Sequence, residues 1–231
     1  MSGYGEFCPI AKAMDVLDER WTLLVVRELL LGSTHFNELR RGNPKMSPAL
    51  LSRRLRSLER AGVLRREVGP DGRTNYLLSE AGRELSAVVQ ALGAWGMRWI
   101  GDLGDSDLDP HLLMWDIRRT MPVRAWPAGR TVLAVEFTDV PGKSGHWWLL
   151  VERGAPVVCD YDPGFDVAAT VRTTLRGLTE IWRGDRSWPA ALRDDTAQIL
   201  GPASIRSQIP QWIGQATLAA IPRPVATVTR P

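Results

Sequence analysis

Through the first hundred residues apolar side chains recur at helical spacing, and a few breaks divide them into elements. Thr22 opens TLLVVRELLLG, an apolar helix that stops at Gly32, the residue type that ends helices most cheaply. HFNELRR predicts a short helix that breaks at Gly42, Asn43 and Pro44. Ser47 then caps, with Pro48 at the first helical position, and SPALLSRRLRSLERAG follows. Leu51, Leu55 and Leu58 share one face of that helix, while Arg53, Arg56 and Arg60 share the opposite one. VLRREV and RTNYLLS flank a Gly-Pro-Asp-Gly turn and predict a hairpin. Ser79 caps a last long helix. Its Leu85, Val88, Val89, Leu92, Trp95 and Trp99 form a single apolar stripe about four turns long.

Residues 101–110 are rich in Gly and Asp, end in Pro and read as a linker. This divides the chain into a mainly α winged helix-turn-helix domain, 1–104, and a second domain, 105–231. In the second half HLLMWDIRRTM predicts a helix, and residues 130–138, 146–153 and 155–161 predict three strands separated by Gly/Pro turns. Helical stretches follow across 166–182 and 188–193, then a strand at 196–200 and a helix at 203–213. Three hairpin-linked strands followed by helices predict an α+β layer. Adjacent Trp147 and Trp148 on one strand must point to opposite faces. The segment 221–231 is Pro-rich and reads as loose.

Composition narrows the class. With 44% hydrophobic and 24% charged residues the 231-residue chain is not disordered throughout. No apolar run approaches the ~18 residues of a membrane span. The start lacks the layout of a signal peptide, and Cys8 and Cys159 are too few for a disulfide framework. A soluble cytoplasmic protein without membrane partners is expected. The net charge of +3 is unevenly spread: residues 40–73 hold 10 Lys/Arg against 3 Asp/Glu. That excess falls on the capped helix and the hairpin, which suits a duplex DNA partner. A helix of this width fills a major groove and reads base edges from its N-terminal half. Ser52, Arg53 and Arg56 would face outward there. Ser47 and Pro48 place the helix N-terminus near a phosphate, and Arg73 and Arg66 reach out from the hairpin.

At these residues the sequence resembles the HxlR-type transcriptional regulators, a branch related to MarR-type proteins. The resemblance covers roughly residues 7–100. It rests on Cys8-Pro9-Ile10, the Trp21 segment, the F-x-E-L stretch at Phe36 to Leu39, and Leu51-Ser52-x-Arg54-Leu55. It implies a bacterial homodimer on an inverted-repeat operator, with the apolar stripe of the last helix as the dimer contact; packing within the monomer or against the second domain is the other reading of that stripe. Some regulators of this family sense oxidants through a cysteine at the position of Cys8. A thiolate near a helix start would have its pKa lowered, while inert packing at the head of the first helix is the plainer reading.

The second domain carries no constellation for chemistry. Gly142-Lys143-Ser144 lacks the upstream Gly of a phosphate loop, and His35, His111 and His146 are scattered with no metal-ligand spacing. No cofactor, metal site or catalytic residue is expected, and the chain does not read as an enzyme. What stands out is aromatic bulk: seven of the ten Trp lie beyond residue 110. Trp115, Phe137, Trp147, Trp148, Trp182 and Trp212 are candidates to line an apolar pocket, and core packing is the alternative for each. The run from Cys159 to Ile213, CDYDPGFDVAAT through IPQWI, resembles the sterol-carrier-protein (SCP2-like) fold; the resemblance covers roughly residues 110–215 and implies an apolar cleft. The reading is a DNA-binding regulator, a repressor by the habit of such families, controlled by an apolar small molecule or lipid. Its rivals are a redox regulator acting through Cys8 with a structural second domain, and a lipid carrier or enzyme whose winged helix mediates assembly.

Overall fold

The computed structural model describes residues 3–100 and 102–223. Most of the Pro-rich segment 221–231 therefore lies outside the described residues. Two compact units partition the chain, one up to Trp95 and one from Gly96 onward.

The first unit runs α1 (Pro9–Leu17), α2 (Thr22–Leu30), α3 (Phe36–Arg41), α4 (Pro48–Arg60), β1 (Leu64–Val68), β2 (Thr74–Leu78) and α5 (Glu80–Trp99), the last crossing the boundary between the units. Local chemistry sets the ends. Gly32, just past α2, takes φ +91°, a conformation that L side chains resist. The Ser47 hydroxyl accepts from the Leu50 N–H at 3.3 Å to cap α4, and Pro48 fills the first turn, where no N–H is needed. β1 and β2 pair antiparallel from Leu64–Leu78 to Val68–Thr74. The Ser79 hydroxyl donates to Gly62 O at 2.6 Å and fastens the base of this hairpin to α5. Val25, Val26, Leu39, Leu51, Leu55 and Leu58 are at the centre of the core. Burying each Leu contributes roughly 1.5–3 kcal/mol, so α4 is anchored by the stripe read from its sequence.

The second unit contains α6 (Pro110–Thr120), β3 (Thr131–Phe137), β4 (His146–Glu152), β5 (Ala155–Cys159), β6 (Val167–Thr173), α7 (Leu175–Arg183), α8 (Trp188–Arg193), β7 (Ala197–Leu200), α9 (Ala203–Arg206) and α10 (Ile209–Ile213). Its sheet has the order β5-β4-β3-β6-β7, antiparallel except for the central β3–β6 pair. Arg153 and Gly154, both at positive φ, make the two-residue β4–β5 turn, the geometry that matches strand twist. Leu133, Val135, Trp147, Leu149 and Val171 share one sheet face, and their buried side chains form one cluster with residues of α6, α7, α8 and α10.

Two sequence expectations need correction. Residues 166–182 are not one helical stretch: 167–173 form β6, and α7 starts only at Leu175. Val167, Val171, Leu175, Leu178 and Trp182 do recur at helical spacing. Ala169, Val171 and Thr173 also alternate, however, and burial follows the alternation. β-Branched Val and Thr then favour the strand. The helix expected at 203–213 is split into α9 and α10, because Pro210 has no N–H to continue the ladder. The two compact units divide at Trp95/Gly96, ahead of the stretch 101–110. The stretch read as a linker is held on the second unit by Arg176, which donates to Leu103 O at 3.0 Å and pairs with Asp105 at 2.7 Å.

Candidate nucleic-acid interface

α4 is positioned by what lies beneath it. Leu51, Leu55 and Leu58 are fully buried, which turns Arg53, Arg56 and Arg60 to solvent. Ser47 and Pro48 are exposed at its N-terminus, and Ser52 is half-buried. The structure therefore gathers Ser47, Pro48, Ser52, Arg53 and Arg56 along one side of one helix. The other two candidates stand on the hairpin. Arg66 is exposed but held by Glu59 at 3.0 Å. Arg73, beside the turn, is largely exposed and 3.6 Å from Asp71. These pairs are solvent-facing and weak, so a phosphate can replace the carboxylate at little cost.

Arg54 has a different task. Its side chain is only 12% exposed, pairs with Glu19 and donates to Arg20 O at 3.0 Å, fixing α4 to the α1–α2 turn. A groove of about 920 Å³ beside α4 carries Arg53, Arg54 and Arg60 opposite Asp15, Asp18 and Glu19. Arg53 thus sits at the border between this mixed-charge groove and the cationic face.

The segment leading into α4 is held by a brace that sequence reasoning missed. Glu28 lies on the buried side of α2, with its side chain fully inaccessible. Arg27 donates to its carboxylate at 2.7 Å and to Gly42 O at 3.0 Å. The Asn43 amide donates to Leu39 O at 2.9 Å. The pair therefore reaches from α2 to the turn joining α3 and α4. A signal was present: Glu28 falls at helical spacing among Val25 and Leu29, where an apolar side chain is the rule. α3 itself is set by Glu38, whose carboxylate accepts from the N–H groups of Thr34 (2.9 Å) and His35 (3.1 Å). Burial alone would raise its pKa, but these bonds outweigh burial and the carboxyl titrates below its ordinary range.

Of the stripe on α5, Leu85 and Val89 pack against the core of the first unit. Val88, Leu92, Trp95 and Trp99 do not; they are between 48% and 54% exposed. Cys8 precedes α1, and its thiol pKa is lowered by the N–H groups of Ala11 and then Ile10. The Cys159 thiol is buried, and that burial raises its pKa.

The six aromatic candidates of the second unit do not converge. Phe137, Trp147 and Trp212 belong to its core, and Trp115 is buried beneath the Arg118 and Arg119 guanidinium groups. Trp148 faces the opposite side of the sheet from Trp147 and is half-buried. Trp182 lines a cavity of about 310 Å³ with residues of α6, α7 and the segment before α6. Among the described residues no His, Cys, Asp and Glu cluster could hold a metal ion, and no helix is long and apolar enough to cross a membrane.

A tri-helical core, a helix with a cationic outer face and a basic two-stranded wing define a winged helix-turn-helix. The description HxlR-like helix-turn-helix matches residues 16–103. The chain is 39% identical over 98 residues to YvaP of Bacillus subtilis (strain 168), an uncharacterized HTH-type transcriptional regulator; the match spans 41% of this chain and 91% of YvaP. A second such regulator, sll1512 of Synechocystis, is 38% identical over 42% of this chain and 73% of its own length. Among solved structures, the reduced form of the transcriptional regulator YodB from B. subtilis aligns at 32% identity and a TM-score of 0.37, covering 42% of this chain and all of YodB. The chain belongs to the HxlR-like helix-turn-helix family and is a DNA-binding transcriptional regulator.

Proposed function

We propose that two copies of this chain bind an inverted-repeat operator and repress transcription, and that residues 105–231 form a domain receiving an apolar small-molecule or lipid effector. The observation that carries the DNA reading is the cationic outer face of α4, fixed by three buried leucines and flanked by the Arg73 wing. On this reading Ser47 and Pro48 approach a phosphate, Ser52, Arg53 and Arg56 face bases and backbone, and Arg66 and Arg73 grip the flanking backbone. Leu92, Trp95 and their neighbours on α5 supply the contact between copies, since four large apolar side chains in a row at half exposure are costly without a partner. The resemblance to sterol carriers is supported by a five-stranded sheet with helices packed on one face, and the effector reading by the cavity at Trp182.

Site selection from random duplexes with the purified chain, followed by footprinting, tests the reading. The expected product is a palindrome with half-site centres about 10–11 bp apart or a multiple of that. Binding that ignores sequence at every salt concentration would overturn it. A second reading has one observation in its favour: the Cys8 thiol, lowered by the α1 N-terminus, suits an oxidant sensor. Operator release by mild oxidant in the parent chain but not in Cys8→Ser would select it.

A further inference from the structure

We propose that the cavity lined by Trp182 binds a small lipophilic monocation, an aromatic or alkyl quaternary ammonium in chemical class. This deepens, and rests on, the reading of the second unit as an effector domain. The cavity of about 310 Å³ is at the small end of ligand pockets. Leu103, Leu108, Leu112 and Leu113 give it an apolar lining, and Trp182 adds an indole fixed by its N–H bond to Thr120 at 3.2 Å. An apolar lining of this size calls for an apolar ligand, and its charges decide which kind.

The lining carries Asp102, Asp107, Asp109 and Asp116 against one cation, Arg183. Arg183 pairs with Asp185 at 3.0 Å, a carboxylate it shares with Arg223, and is also drawn to Asp107, while Asp116 pairs with Arg119. Asp107 accepts from the Gly104 N–H at 2.9 Å and Asp109 from the Leu112 N–H at 3.0 Å, so both are fixed in place. Counting Arg183 and Arg119 against the four carboxylates of the lining still leaves a negative excess of two. A fatty-acid carboxylate would meet like charge. A neutral hydrocarbon would strip water from the carboxylates and return no interaction. A bare metal ion fits no better, because no described cluster could ligate one. A cation attached to an apolar body satisfies both parts of the lining, and the Trp182 ring adds an attraction to positive charge.

The test is calorimetric titration of the full chain with benzyltrimethylammonium, its neutral isostere neopentylbenzene, and laurate. Saturable binding of the cation, at least tenfold tighter than the isostere, is expected. It should weaken at least tenfold in the Asp102→Asn, Asp107→Asn double variant, in which the new amide oxygen at position 107 can still accept the Gly104 N–H. Circular dichroism checks that this variant folds, and Trp182→Phe, which keeps an aromatic ring, should bind more weakly by a smaller factor. Binding of laurate or neopentylbenzene without the cation would overturn the proposal and leave the apolar-effector reading standing. Binding of none of the three would overturn both. Equal affinity of the cation for parent and double variant would place it elsewhere and overturn the proposal alone.

Discussion

Gly42 makes the brace beneath α4 testable with a single methyl group. Its backbone sits at φ −75°, ψ −7°, an ordinary right-handed conformation, so alanine brings no strain. By itself the change would stabilise the chain by about 0.4–1 kcal/mol through the unfolded state. The structure predicts the opposite sign, because a Cβ at position 42 would overlap the Glu28 carboxylate. That carboxylate is fully buried, and moving it away breaks its 2.7 Å bond to Arg27. Disrupting a buried pair costs about 3–5 kcal/mol. Arg27 is 31% exposed and can recover some hydration, so the net loss should be about 2–4 kcal/mol. At ~4–8 °C per kcal/mol for a unit of this size, the transition of the first unit should fall by roughly 8–32 °C. The control is the cycle with Glu28→Ala, which costs stability itself but removes the obstacle. On that background Gly42→Ala should be neutral or slightly stabilising, giving a coupling of about 2 kcal/mol or more. Thermal and urea melts of the four proteins measure it, with operator affinity followed in parallel because the braced turn leads into α4. Additive effects, or a Gly42→Ala loss below about 0.5 kcal/mol, would refute the reasoning.

Arg53→Ala should cost roughly 1–3 kcal/mol at the selected operator and relax its sequence preference, while Arg73→Ala should weaken all duplexes alike and lower the salt slope by about one. Competition binding at several salt concentrations distinguishes the two; an intact preference in Arg53→Ala would misplace the reading helix. Leu92→Glu puts a charge in the middle of the exposed stripe of α5 and should shift the chain to monomer in sedimentation velocity, with loss of operator affinity; a variant that stays dimeric would remove α5 from the contact. The Cys8 thiolate is favoured by two N–H groups, so its alkylation by iodoacetamide should rise and level off at lower pH than that of an unfolded control, whereas Cys159, shifted up by burial, should label only on unfolding. Coincident pH profiles for Cys8 and the control would contradict the hydrogen bonds at the head of α1.

The first unit was legible because its signals are local and agree with one another. Ser47, Pro48 and the 4–3 spacing of Leu51, Leu55 and Leu58 specify a capped, one-sided helix whatever lies beneath it. Putting Arg53 and Arg56 outside followed without further information. Arg54 shows the limit of that logic. It falls within the same basic run, yet a residue 35 positions earlier, Glu19, decides that it braces rather than binds. In the second unit 167–173 satisfies both helical and strand spacing, and only pairing with β3, 36 positions earlier at Glu136–Arg172, settles the choice. The aromatic residues left pocket and core open for a related reason. Composition signals apolar bulk but not its direction, and Phe137, Trp147 and Trp212 direct theirs into the core. Trp182 does line the cavity, together with residues of α6 and with leucines and aspartates of a segment that its Gly and Asp content marked as a linker.

Coupling between such a cavity and operator binding is limited by energy before it is limited by route. A ligand shifts an equilibrium only by its differential affinity for the two states. Moving one protomer from 1:99 to 99:1 needs about 5.5 kcal/mol of difference, more than one charge contact and one ring contact supply. Those contacts at ~1–2 kcal/mol each would together favour one state by a factor of about thirty to nearly a thousand. Two protomers that must change together square the factor, so a symmetric dimer could reach a useful switch where a monomer could not. Operator release should then vary with the square of cation occupancy. The Leu92→Glu monomer should still bind the cation, while its residual DNA affinity responds to it only weakly. Separating those two responses tests whether the α5 contact is what converts a small binding energy into regulation.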